Sequence, residues 1–192
     1  MADIVKINNV LPEHLANSIL NMCYANNFPW FYLNDITYTE FNNKNTHTDG
    51  HGFFHMVHHE GASSTWNEDL KKSLKPAHDL IVSAIPFFEE KFSFEYNKVT
   101  RIRMGLHTKI SNESKTFTPH TDSHKPHFVI IYYVNDSDGD TVFYGAGNRS
   151  TEICRVSPEK NSAVFFDGST HHAGSSPAKH ARRIVINFLF EI

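Results

Sequence analysis

Hydrophobic and polar positions divide the chain into two textures. Up to about residue 92 apolar residues recur at helical spacing; beyond it they come in short runs separated by turns. Ile4-Val5-Lys6-Ile7 alternate enough for a short strand. Leu11-Pro12-Glu13-His14 reads as a helix start, because Pro is tolerated in a first turn. Leu15, Ile19, Leu20, Met22 and Cys23 keep one helical face apolar, and Asn26-Asn27 with Pro29 end it. Residues 30–41 mix aromatic and β-branched side chains and suit a strand or an irregular aromatic segment. A polar, turn-rich loop over 42–52 leads into a strand over 53–59. Residues 67–90 predict a second helix with Leu74, Ala77, Ile81 and Ile85 near one stripe, divided or bent by Pro76 and Pro86. Strands are then predicted over 98–106, 127–135, 141–144, 153–156, 162–166 and 184–190. Short strands with regular turn signals argue for a sandwich or barrel. The expected class is α+β, mainly β, with the N-terminal helices as a buttress.

Composition narrows the function classes. The chain has 192 residues, enough for one domain with a real core, and 40% are apolar against 20% charged. Sixteen Phe favour a β-rich interior. A net charge of −3 offers no basic field for an obligate nucleic-acid partner. No run approaches the roughly 20 apolar residues that span a bilayer, so no membrane partner is expected. The N-terminus lacks an apolar run of signal-peptide length. Two cysteines, Cys23 and Cys154, make no disulfide framework. Together these predict a cytoplasmic protein.

Fourteen His are the unusual count. His47, His51, His55, His58 and His59 crowd one region without a carboxylate or Cys at ligand spacing, which favours structural or surface roles. His120-Thr121-Asp122 differs: side chains two apart on a strand share a face, so an imidazole and a carboxylate project together. His172, 52 residues further on, is the candidate third ligand. Two imidazoles and one carboxylate leave coordination positions open, as at non-haem Fe(II) sites that activate dioxygen. A closed structural zinc site would want a fourth ligand. His171 is adjacent, but successive strand residues face opposite ways. Arg182 and Arg183 follow at the start of the last strand, and an inward Arg needs a carboxylate, from the protein or from a ligand. Tyr132 and Tyr133 could add a hydroxyl. His124 and His127 are candidate donors to the metal carboxylate, or exposed. Arg101 and Arg103 share a strand face that suits an anion, a substrate or solvent. Residues 135–140 read as a β-turn rather than a calcium loop.

Over roughly residues 98–192 the chain resembles the 2-oxoglutarate/Fe(II)-dependent oxygenases, most closely their prolyl-hydroxylase-like branch. The resemblance rests on His120-Thr121-Asp122, on His172 in His-Ala-Gly-Ser-Ser-Pro, and on Tyr132-Tyr133-Val134-Asn135 before Gly139-Asp140-Thr141-Val142-Phe143. Asp140 stands where the family's turn has its second Gly. The resemblance implies a double-stranded β-helix, the jelly-roll or cupin-type barrel. It implies a single oxygenase domain over 1–192, with 1–97 as helical buttress and substrate-side elements and 98–192 as core barrel. Fe(II) would sit on His120, Asp122 and His172. 2-Oxoglutarate would meet Arg183, with Arg182 as the alternative, and Tyr133 would add its hydroxyl. The reaction would consume O2 and 2-oxoglutarate, release succinate and CO2, and hydroxylate a C–H bond of a peptide, a protein or a small molecule, a prolyl residue among them, with ascorbate supporting activity. Two other readings compete: a cupin-like metal protein or oxygenase that does not use 2-oxoglutarate, and a non-catalytic module on the same barrel.

Overall fold

The computed structural model describes residues 3–36, 50–61, 68–145 and 151–192. The architecture follows from strands whose two faces are both apolar. These are β5 (His127–Tyr133) and β10 (Arg182–Glu191); beside them β4 (Lys98–Thr108) turns one apolar face to a core and one polar face away from it. Alternate residues of β5 and β10 must enter two different cores. Ile102, Met104, Ile130, Tyr132, Ile184, Ile186, Phe188 and Phe190 fill one; Val129, Ile131, Tyr133, Val185 and Leu189 fill the other.

The three strands lie in an antiparallel seven-stranded sheet of order β1-β8-β5-β10-β4-β3-β2. Here β1 is Val5–Asn8, β2 Phe31–Leu33, β3 Gly52–His59 and β8 Ser162–Asp167. Residues before Lys98 thus supply three strands of this sheet as well as helices. The first core is closed by α1 (Glu13–Tyr24), α2 (Glu68–Val82) and α3 (Ile85–Phe92), through Leu15, Ile19, Ile81 and Phe88. The Phe88 ring meets Phe188 edge-on at 5.0 Å. The second core is closed by a three-stranded sheet, β7 (Glu152–Val156), β6 (Thr141–Tyr144) and β9 (His172–Gly174), through Phe143 and Val156. Two antiparallel sheets facing across a core give the jelly-roll.

Two expectations change. The second helical stretch divides between Val82 and Ile85, whereas Pro76 sits inside α2. Pro86 lies in the first turn of α3, where its missing N–H costs nothing. His120 and Asp122 are not on a strand: His120 makes only an isolated bridge with His172. Of residues 30–41, only Phe31–Leu33 is strand; 37–41 lie outside the described residues, as does His47.

Candidate metal centre

The bridge does the work expected of a strand. The His120 N–H donates to the His172 carbonyl at 3.0 Å, and the His172 N–H returns the bond at 2.9 Å. That reciprocal pair sets two imidazoles side by side, with ring centroids 4.9 Å apart. Each ring then turns the same way. Nδ1–H of His120 donates to the Thr118 carbonyl at 3.1 Å, and Nδ1–H of His172 to the Thr170 carbonyl at 3.2 Å. A carbonyl can only accept, so both protons are fixed on Nδ1 and both Nε2 lone pairs are left for a Lewis acid. Asp122 joins them: the ligand atoms of His120, Asp122 and His172 lie within 4.8 Å of one another. Nε2 of His172 is 3.3 Å from Asp122 Oδ2. A lone pair and an anionic oxygen this close repel unless a cation or proton is held between them. Burial, with His172 alongside, lowers the His120 pKa to about 4, which keeps its ring neutral and able to ligate. The donor set therefore fits a divalent metal with open positions.

Asp122 has 4% of its side chain exposed. Burial alone would raise its pKa, but the Arg101 guanidinium and then His172 hold it well below the usual carboxylate range. Arg101, on β4, bonds Asp122 Oδ1. Asn187, on β10, donates to Oδ2 at 3.2 Å. These are the donors that orient the carboxylate. The sequence offered His124 and His127 instead. His124 is exposed, and buried His127 donates through Nδ1 to the Lys125 carbonyl at 2.7 Å.

A cavity of about 100 Å³ connects the three residues to Arg183. That is several times the space one water needs. Arg183 is 2% exposed, and burial lowers its pKa. Among the described residues no carboxylate pairs with it. Its NH2 donates to Thr141 Oγ1 at 2.8 Å, its NH1 to His107 Nδ1 at 3.1 Å, and its Nε is buried without a hydrogen-bond partner. Burial first, then the charge of Arg183, pushes the His107 pKa well below its ordinary value, so the ring accepts as a neutral base. Gly139 makes room for the arginine: a Cβ there would stand 2.5 Å from the Ser175 carbonyl oxygen and 2.9 Å from Arg183 Cδ. Arg182 is exposed and its guanidinium lies over the Tyr24 ring at 4.8 Å, away from the cavity.

Tyr133 is set back from the cavity. Its hydroxyl donates to Thr141 Oγ1 at 2.7 Å. Thr141 therefore accepts from both Tyr133 and Arg183, which uses both its lone pairs. Its own proton is left for an acceptor in the cavity it lines. Thr141 and His107 are site residues that sequence reasoning missed. Tyr132 faces the helical core and reaches Asn161. The His-rich stretch serves packing: His55 is buried with Nδ1 donating to the Pro29 carbonyl, His58 reaches the Val99 carbonyl, and His51 stacks on Tyr32. Among the described residues the only metal-type cluster is His120, Asp122 and His172.

Comparison with known proteins agrees with this geometry. A sequence model of the 2OG-Fe(II) oxygenase superfamily matches residues 105–191. No curated protein matches the sequence. Solved structures share the fold. A 2OG-Fe(II) oxygenase family oxidoreductase from Burkholderia pseudomallei is 11% identical with a TM-score of 0.64, over 98% of this chain and 85% of that one. A Pseudomonas putida prolyl-4-hydroxylase is 15% identical with a TM-score of 0.59, over 100% and 94%. A Trichoplax adhaerens prolyl hydroxylase, in complex with a hypoxia inducible factor peptide fragment, is 13% identical with a TM-score of 0.58, over 98% and 83%. The matched segment holds the three clustered residues, Thr141 and Arg183 alike, and over that segment this chain is similar to the 2OG-Fe(II) oxygenase superfamily.

Proposed function

We propose that the protein is an Fe(II)- and 2-oxoglutarate-dependent dioxygenase that hydroxylates a C–H bond. The observation that carries this reading is a buried guanidinium with no carboxylate of its own, facing a two-His, one-carboxylate cluster across one cavity. Nε2 of His120, Nε2 of His172 and the Asp122 carboxylate would hold the iron. The bound iron supplies activation of O2: one oxygen atom enters succinate as 2-oxoglutarate loses CO2, and the other becomes the new hydroxyl. The chain orients and shields. Arg183 receives the far carboxylate of 2-oxoglutarate in a charge-assisted fork, and the Thr141 hydroxyl donates beside it. Tyr133 acts through Thr141. Phe117, Ile131 and Val185 line the cavity and keep water from the reacting atoms.

The prime substrate is a peptide residue, prolyl or other, or a small molecule; the peptide bound by the Trichoplax enzyme supports the first. Two free cysteines, Cys23 and Cys154, support a reducing, cytoplasmic setting, and no helix among the described residues is long and apolar enough to cross a membrane. Ascorbate would keep the iron reduced. A cupin-like protein without 2-oxoglutarate would leave both arginines in solvent, whereas Arg183 is buried.

The test is succinate formation from 2-oxoglutarate with Fe(II), ascorbate and O2. Wild type should form succinate above His120→Ala and Asp122→Ala. Equal, background-level formation by all three would reject the reading.

A further inference from the structure

The cavity holds a second cation that the co-substrate does not use. Arg103 lines it on the same face of β4 as Arg101, Gly105 and His107. The antiparallel register separates the two arginines of the cavity. Arg183 pairs with His107, and Asn187 pairs with Arg103. Arg103 therefore stands four residues, or about 14 Å, along β4 from the row that holds Arg183. It is level with Asn187, the residue that bonds Asp122. Between the two rows β4 carries Gly105, which adds no side chain of its own and lies opposite Val185.

Arg103 is half-buried, and burial followed by the neighbouring charge of Arg101 lowers its pKa, with Asp122 opposing. Its guanidinium lies 5.5 Å from the centre of the Phe54 ring. Among the described residues no carboxylate forms an ion pair with it. Arg101 differs, because its charge is spent on Asp122. Further along the wall, toward the His107 row, the cavity lining is apolar: Phe53 pairs with Leu106, Leu33 pairs with the adjoining Gly52, and Ile36 packs against that glycine. Three guanidiniums thus surround a site with a single carboxylate. Bound Fe(II) and 2-oxoglutarate cancel in formal charge, so this excess persists in the loaded site. A cation desolvated in that way is costly unless an anion arrives to meet it.

We propose that Arg103 recognises a carboxylate on the prime substrate and so makes this enzyme select acidic substrates. The inference rests on the oxygenase reading and names the substrate class of the same site. The carboxylate takes the two-pronged contact that a guanidinium offers, level with the metal and on the β3 side of it. The apolar stretch of the wall receives the rest of the substrate.

The test uses the whole chain loaded with Mn(II) and saturating 2-oxoglutarate in the absence of O2. Benzoate and its neutral counterpart benzamide are titrated calorimetrically. Wild type should bind benzoate at least tenfold more tightly than benzamide, and Arg103→Gln should abolish that preference. Equal binding of the two probes to wild type overturns the proposal, whatever the fate of the variant. So does an Arg103→Gln protein that folds and keeps the full preference. 2-Oxoglutarate affinity is read from companion titrations. A loss in Arg103→Gln as large as in Arg183→Gln would assign Arg103 to the co-substrate and overturn the proposal alone. Absence of 2-oxoglutarate binding to wild type would overturn the underlying oxygenase reading with it.

Discussion

Replacing Arg183 by Met should weaken 2-oxoglutarate without weakening the fold. The guanidinium has five N–H donors. One meets Thr141 Oγ1, one meets His107 Nδ1, and Nε–H has no hydrogen-bond partner. Enough remain for both oxygens of a ligand carboxylate. Hydrogen bonds to charged groups contribute about 1.5–3 kcal/mol each. Two of them give about 3–6 kcal/mol, or roughly 10²- to 10⁴-fold in affinity. Stability should move the other way. In the ligand-free protein Arg183 is a buried charge without a carboxylate, and an apolar side chain of similar length removes that desolvation cost. The assay is calorimetric titration of 2-oxoglutarate into Mn(II)-loaded protein without O2, paired with thermal unfolding of the ligand-free protein. Affinity should fall at least a hundredfold while the unfolding temperature holds or rises. An affinity change under threefold, or a loss of stability that accounts for the weaker binding, would refute the reasoning.

Three further outcomes follow from the same contacts. Asn187→Leu removes the 3.2 Å bond to Asp122 Oδ2; metal affinity in a chelator competition should fall about 10- to 100-fold, and unchanged affinity would remove Asn187 from the site. Gly139→Ala forces a Cβ to within 2.5 Å of the Ser175 oxygen; urea unfolding should show a loss of about 1–3 kcal/mol, and a neutral result would mean the Arg183 slot yields easily. The folded-state pKa of His107 is depressed and its unfolded value is about 6.5, so the stability from keeping it neutral is full above pH 6.5 and declines as pH falls. Metal-free wild type should therefore lose about 1.4 kcal/mol more than His107→Gln between pH 7.5 and 5.5; equal losses would show that His107 charges freely in the fold.

Strands β5 and β10 were legible as continuous apolar runs, because each feeds two cores, whereas β4 was legible by alternation, Ile102 and Met104 standing between Arg101, Arg103 and Gly105. His120, Asp122 and His172 were legible as residue types at intervals. What the intervals could not carry was register. Arg101 reaches Asp122 across 21 positions, and Asn187 reaches it across 65. Sequence proximity pointed to His124 and His127, which the chain turns elsewhere. Thr141 stood inside the turn segment that carried the resemblance, yet its placement against Arg183 depends on pairing of β6 with β9, a strand of three residues too short for any pattern. The shared face of Arg101 and Arg103 was visible; that Arg103 lines the cavity while Arg101 turns to Asp122 depended on pairings the sequence does not show.

The most direct measurement is anomalous diffraction at the iron edge from crystals grown without O2 in Fe(II) and 2-oxoglutarate. A single strong peak should lie between Nε2 of His120, Nε2 of His172 and the Asp122 carboxylate, with the far carboxylate of 2-oxoglutarate on Arg183. Iron bound elsewhere, or a co-substrate carboxylate on Arg182, would contradict the account.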